Sequence, residues 1–253
     1  LMANEIEKLN TIEITDIEKF NGKTDDNIEK LNTLEFVGVV APLFAGTRAV
    51  IAGGADGTSL EDTTSNMDYK TIDSDSDAQT FGVLVEARAM FKGAGSNISR
   101  GVWVSGRTDG YPNTHTHTTA MDYRAVGSAG FAADFGDAAN ATANGAQDGA
   151  SNGTLLFSSG GFRSGAGNQQ DDMEYITIAS TGNGTNAGDL MEVNNGCVGT
   201  HGNTRYLVAG GYDGGASQLN RIQYNDFSTS ADCSDFGDLT QADQHPGSAS
   251  SVT

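Results

Sequence analysis

Apolar residues along this chain come in short runs that stop at glycine. Four such runs read RAVIAGG (48–54), RGVWVSG (100–106), LLFSSGG (155–161) and RYLVAGG (205–211), and their last glycines, Gly54, Gly106, Gly161 and Gly211, are spaced by 52, 55 and 50 residues. A second pattern keeps the same period: Met67-Asp68-Tyr69, Met121-Asp122-Tyr123, Met173-Glu174-Tyr175 and Ile222-Gln223-Tyr224. The alternation continues past the tyrosine, as in Tyr175-Ile176-Thr177-Ile178, which is the period of a half-buried strand. Further along each unit comes a third motif: Phe81-Gly82, then Asp134-Phe135-Gly136-Asp137, Gly188-Asp189-Leu190 and Asp235-Phe236-Gly237-Asp238-Leu239. Ala187 stands where the other copies have Phe. A looser strand ends each unit: Arg88-Ala89-Met90-Phe91 in the first, and small-residue stretches in the others, such as GCVGTHGN (196–203) and GSASSVT (247–253).

The pattern predicts an all-β body built from four units of roughly 50 residues. Each unit holds four antiparallel strands, in the order glycine-ended strand, M-D-Y strand, F-G-D strand, small-residue strand. Four short strands at this period are the signature of a propeller blade. One four-stranded meander cannot cover both its faces, so each unit must pack on its neighbours.

These motifs resemble the kelch repeat, with Phe81, Phe135 and Phe236 in place of the usual Trp and a single glycine in the second copy. More closely, the pattern R-x-x-x-x-G-G, N/D-x-I/M-x-Y, D-F-G-D-L is similar to kelch-type repeats in virion structural and tail-fibre proteins of bacteriophages, especially those of marine cyanobacteria. The resemblance spans 37–253. It implies a kelch-like β-propeller domain there and a location on the virion, outside the cell. Four blades make a small ring. Closure by the chain itself, completion by other subunits, and a stacked or trimeric β arrangement are all open, and the segment 34–46 is a candidate extra strand.

Residues 1–36 carry a different period, of 11: IEKLNTIEITD (6–16), IEKFNGKTDDN (17–27) and IEKLNTLEFVG (28–38). A right-handed helical coiled coil is one reading of such a repeat. Asn21-Gly22 and Asn32-Thr33 interrupt it, and the preferred expectation is a series of single capped helical turns. Ile6/Leu9, Ile17/Phe20 and Ile28/Leu31 then form one apolar ridge at i, i+3. That ridge is expected to serve attachment or oligomerisation. Similar I-x-K-x-N-G repeats occur in phage tail proteins, which agrees with the virion resemblance.

Composition narrows the partners. There are 14 Lys+Arg against 33 Asp+Glu, a net charge of −19, which argues against binding nucleic acid by neutralising phosphates. No apolar stretch approaches the 18 residues of a membrane span, so no membrane insertion is expected, and the N-terminus LMANEIEKLN does not read as a signal peptide. Cys197 and Cys233 form no disulfide framework and no CxxC pair, and are read as small buried side chains.

Candidate chemistry is sparse. Asp73-Ser-Asp75-Ser-Asp77 alternates carboxylates as a calcium loop does, but Ala78 and Leu84 stand where that loop needs Gly and Glu. It is read as a solvated turn between the second and third strands. His115 and His117 lie on one face of an extended segment without a third ligand nearby, so no metal and no cofactor is assigned. No GxSxG, HExxH or P-loop is present, and the chain is not read as an enzyme. The expected binding surface is the set of loops between the first two strands of each unit, with Tyr111, Asn113, His115, His117, Arg163, Tyr212 and Asp213 as the residues suited to a host-surface glycan. Expected partners are other virion proteins and further copies of the chain. The alternative class is a bacterial surface propeller that binds protein or glycan.

Overall fold

The computed structural model describes residues 48–56, 62–108, 116–143, 145, 149–163, 169–215 and 217–249, and the backbone of six two-residue strands nearer the N-terminus. The chain divides into two compact units, Leu1–Ala45 (with Thr253) and Gly46–Val252.

In the first unit the 11-residue repeat forms hairpins, not helical turns. Strands β1 (Lys8–Leu9) and β2 (Ile12–Glu13) are antiparallel, as are β3 (Lys19–Phe20) with β4 (Lys23–Thr24) and β5 (Lys30–Leu31) with β6 (Leu34–Glu35). Pairing of Phe20 with Lys23 leaves Asn21-Gly22 as a two-residue connection, and Asn-Gly is the strongest short hairpin signal because both residues tolerate φ > 0. Leu9, Phe20 and Leu31 each end a strand beside such a link. Ile6, Ile17 and Ile28 lie outside the described residues.

The second unit is all-β, with no helix among its described residues, and contains four antiparallel sheets. Sheet I has β7 (Arg48–Ala52), β10 (Asn66–Thr71) and β11 (Gln79–Val83), with β8 (Ala55–Asp56) and β9 (Asp62–Thr63) as a small hairpin between its first two strands. Sheet II runs β12 (Gly93–Ser96), β13 (Arg100–Arg107), β14 (His117–Ala125) and β15 (Ala133–Asp137). Sheet III runs β16 (Ala150–Ser151), β17 (Leu155–Ser159), β18 (Gln170–Thr177) and β19 (Thr185–Asn194). Sheet IV runs β20 (Val198–His201), β21 (Arg205–Ala209), β22 (Arg221–Asp226) and β23 (Ser234–Asp238). Each sheet is a meander in chain order.

One expectation about the unit is corrected. The small-residue strand opens a sheet; it does not close the one before. Within the expected stretch 196–203, Val198–His201 pairs with β21; in the first unit Arg88–Phe91 forms only the isolated bridge of Ala89 with Arg107, and the strand that follows, Gly93–Ser96, pairs with β13. The reason is local: Asn97-Ile98-Ser99 and Gly202-Asn203-Thr204 are tight links to the next strand, with Asn97 N–H bonding Arg100 O and Gly202 N–H bonding Arg205 O. The stretches 84–92 before β12 and 138–149 before β16 are longer, whereas β19 reaches β20 through 195–197 alone. Sheet I has no such opening strand among the described residues.

The glycine pairs follow β7, β17 and β21 at positive φ, as at Gly160 and Gly161. In the copy with one glycine, Ser105 takes the left-handed conformation at φ 55. Such strain is tolerated where the surroundings fix the residue; here Ser105 Oγ lies 2.6 Å from Thr118 O and 2.7 Å from Thr142 O. Every sheet carries a β-bulge between its last two strands, at the Phe of the F-G motif or at Ala187.

Sheets pack face to face in sequence, and the core lies between them. Met67, Phe81 and Trp103 fill the first junction. Met121, Phe135, Leu156 and Ile176 fill the second. Met173, Leu190, Tyr206 and Val208 fill the third. Full burial of one such side chain stabilises by about 2 kcal/mol. The M-x-Y strand supplies Met inward to each junction, and the bulge aims Phe at it.

Candidate functional surface

After each glycine pair the chain reaches one rim of its sheet, where it meets the linker that leaves the preceding sheet. Three isolated bridges mark this rim: Ala89 with Arg107, Ala143 with Phe162, and Asn195 with Tyr212. The loop residues expected to bind ligand start here. His117 opens β14 and sits edge-on against Phe162, with ring centroids 4.9 Å apart. Arg163 comes directly after Phe162 and reaches to 3.9 Å from Asp172. Tyr212 bridges both Asn195 and Gln218 through its backbone. Asp213 caps its own loop, accepting the N–H groups of Gly215 at 2.8 Å and Ser217 at 2.9 Å. His117 and Arg163 are thus joined through Phe162. Tyr212 and Asp213 belong to the next sheet. Tyr111, Asn113 and His115 lie outside the described residues.

Sequence reasoning missed the buried charges beneath this rim. Lys92, fully buried in the linker after sheet I, places Nζ 2.7 Å from Asp172 and 3.0 Å from Glu174. Asn140 donates to Asp172 at 3.2 Å, and Ala139 N–H donates to Glu174 at 2.6 Å. Earlier in the same linker, Arg88 pairs with Asp122 at 2.6 Å, both buried. Burial dominates the electrostatics of that pair: it raises the Asp122 carboxyl above its ordinary range and lowers the Arg88 guanidinium, while their mutual attraction opposes both shifts. A buried pair of this kind costs much of its attraction in lost hydration.

Asp122 and Glu174 sit at the middle of their Met-acid-Tyr triplets. That position faces away from Met and Tyr. It is buried because interior sheets are covered on both faces. Asp122, Glu174 and Gln223 act alike: each accepts a backbone N–H from the last strand of the preceding sheet or the linker just after it, from Val85 (3.1 Å), Ala139 (2.6 Å) and Met191 (2.8 Å) respectively. The position is an inter-sheet latch, and the repeat register was the signal that could have found it.

The DSDSD turn joins β10 to β11 and is exposed at Asp73, Asp75 and Asp77. Among the described residues no group of three His, Cys, Asp or Glu is placed to hold a metal ion. Cys197 and Cys233 are free and buried.

Comparison of the chain with protein-family models and with curated proteins returns no match in either.

Proposed function

We propose that this chain is a structural or adhesive virion protein: a tail-fibre, tail-associated or capsid-appendage component whose body is a set of kelch-like propeller blades. Its work is assembly with other virion proteins and with further copies of itself, outside the cell, and contact with host-surface glycan through the loop rim. The observation that carries the reading is the sheet-to-sheet repeat. Nearly every buried charge described above is engaged in joining one sheet to the next, which is the economy of a scaffold. The resemblance of the R-x-x-x-x-G-G and D-F-G-D-L motifs to phage virion repeats supplies the setting. Three short hairpins in the N-terminal repeat suit an attachment segment, with Leu9, Phe20 and Leu31 among its apolar residues.

Two experiments test it. A chain lacking residues 1–36 is expected to keep its β-sheet circular dichroism and to be left out of the particle; full incorporation counts against the assembly role of that segment. On a glycan array, a tagged full chain is expected to bind at the rim and to lose binding with Arg163→Ala; binding unaffected by rim substitutions removes the glycan part. Recovery of the protein only from bacterial surfaces would favour a bacterial binding module instead.

A further inference from the structure

The three junctions between sheets obey one hydrogen-bond rule. In each, the last strand of a sheet receives the turn between the third and fourth strands of the next sheet. At the first junction Gly130 N–H donates to Phe81 O (2.7 Å) and Ala132 N–H to Val83 O (2.8 Å). At the second, Gly182 donates to Phe135 O and Gly184 to Asp137 O, both at 2.8 Å. At the third, Cys233 donates to Asp189 O at 2.8 Å. Two junctions add a side-chain bond in the other direction: Asp137 N–H to Asn183 Oδ1 (3.0 Å) and Asp189 N–H to Asp232 Oδ1 (3.1 Å). The M-D-Y latch completes the set.

Sheet IV carries the receiving strand of this junction, and sheet I the inserting turn, with none of the described residues on either. Phe236 is 51% exposed, whereas Phe81 and Phe135 are 1% and 2%. On sheet I, Ser76, Asp77 and Ala78 occupy the turn positions that bond at the other junctions, Asp68 occupies the latch position, and all four are exposed. Gly237 sharpens the point. A Cβ on Gly136 would stand 2.5 Å from Gly182 O, and one on Gly188 would stand 2.3 Å from Ala231 O, because the next turn presses on that glycine. Gly237 keeps φ 126, and a Cβ there would meet nothing within 4 Å.

We propose that sheet IV of one copy docks on sheet I of a second copy, head to tail, through the same junction that joins the four sheets within a chain. The register is fixed by the repeat: Ser76 N–H to Phe236 O, Ala78 N–H to Asp238 O, Asp238 N–H to the Asp77 carboxylate, and Thr240 N–H to Asp68. Arg48 and Arg100 each reach forward to a backbone oxygen on the next sheet, Gly127 O at 2.9 Å and Ile178 O at 3.2 Å. Arg205 of sheet IV is in the same position, and the junction brings it to the acidic turn holding Asp73 and Asp75. The DSDSD turn is thereby a docking element for a cation of the neighbouring copy.

The opening-strand position agrees. Ser248 Oγ bonds Gly199 O at 2.9 Å, as Ser151 Oγ bonds Ser96 O at 2.9 Å, so residues 247–249 stand beside β20 as β16 stands beside β12. Across the junction they meet a groove of ≈ 280 Å³ lined by Val50 of β7 and by Gly95 and Ser96 of β12. A head-to-tail contact of this kind closes into a ring or runs on as a filament, according to its rotation.

The inference rests on the self-association proposed above but uses neither the virion setting nor the N-terminal repeats. Ala78→Cys and Asp238→Cys, made in separate full-length chains, are to be mixed with a short bis-maleimide. The expected product is a covalent dimer holding one chain of each kind, with the thiols of Cys197 and Cys233 buried and silent. Charge reversal by Asp77→Arg, and separately Gly237→Ala, are each expected to lower its yield at least tenfold with circular dichroism unchanged. Absence of the mixed dimer, or equal yield from either variant alone, overturns the proposal. So does exclusive intramolecular linkage in the Ala78→Cys/Asp238→Cys double variant, which would mean closure of a single chain. Particle assembly that persists without the mixed dimer overturns this junction and leaves self-association standing.

Discussion

Asp122 of the second sheet accepts the backbone N–H of Val85 in the first at 3.1 Å, and the same carboxylate oxygen holds Arg88 at 2.6 Å. One side chain thus ties its own strand to two points, Val85 and Arg88, of the linker that leaves the first sheet. Asp122 and Arg88 are both buried, so losing one leaves the other without its counter-charge. Arg88→Ala is expected to destabilise the protein by about 3–5 kcal/mol in urea denaturation, because it leaves a buried carboxylate unpaired. The double change Arg88→Met with Asp122→Asn should cost less than the sum of its single changes. Strict additivity in that cycle would mean the two groups act independently.

Phe135 and Phe236 stand at the same position of their repeats and should respond differently. Phe135→Ala empties a packed junction, with an expected loss of about 3–5 kcal/mol. Phe236→Ala, measured on dilute monomer, should stay within about 1 kcal/mol, since half of that ring already faces water. Equal losses from the two substitutions would show that the fourth sheet is covered as the others are.

Gly136 adopts φ 134 with the Gly182 carbonyl against it. Gly136→Ala combines backbone strain of about 1–3 kcal/mol with a backbone clash, and thermal unfolding should reveal a larger loss than for Gly237→Ala, which carries the strain alone. The difference between the two melting temperatures reads the close approach of the next sheet.

Burial pushes the thiols of Cys197 and Cys233 from 9.0 up to about 12. Their folded-state values lie above their unfolded ones, so the stabilising contribution is complete below pH 9 and is lost as pH rises towards 12. For the fully buried Cys197 the whole shift corresponds to about 4 kcal/mol. Urea midpoints should therefore fall over that alkaline window, and fall less in Cys197→Ala. At pH 8 neither thiol should react with an aromatic disulfide reagent until urea unfolds the chain; rapid labelling of the native protein would contradict their burial.

Much of the body was legible from periodicity. The glycine-ended runs, the M-D-Y strands and the F-G-D strands became β13, β14 and β15 and their counterparts, because apolar alternation and φ > 0 glycine act over a few residues. The placement of the small-residue strand was not legible. Gly93–Ser96 has little side chain to advertise a partner, and the tight Asn97 link to Arg100 decided its pairing. In the N-terminal repeat, Asn21-Gly22 reads as a helix stop from sequence, and only the pairing of Phe20 with Lys23 reveals antiparallel strands there.

Sequence alone determined the four repeats, their glycine-ended, M-D-Y and F-G-D strands and the acidic balance, since each depends on local conformational preference or on a simple count. Tertiary structure alone decided which charges are buried. Asp68, Asp122 and Glu174 share one place in the triplet, yet Asp68 is exposed and the other two are buried. The difference is whether a neighbouring sheet covers that face, and such a contact joins residues far apart in the chain. For the same reason only the packed sheets reveal that Phe236 and the DSDSD turn are the two unmatched halves of a junction made three times elsewhere.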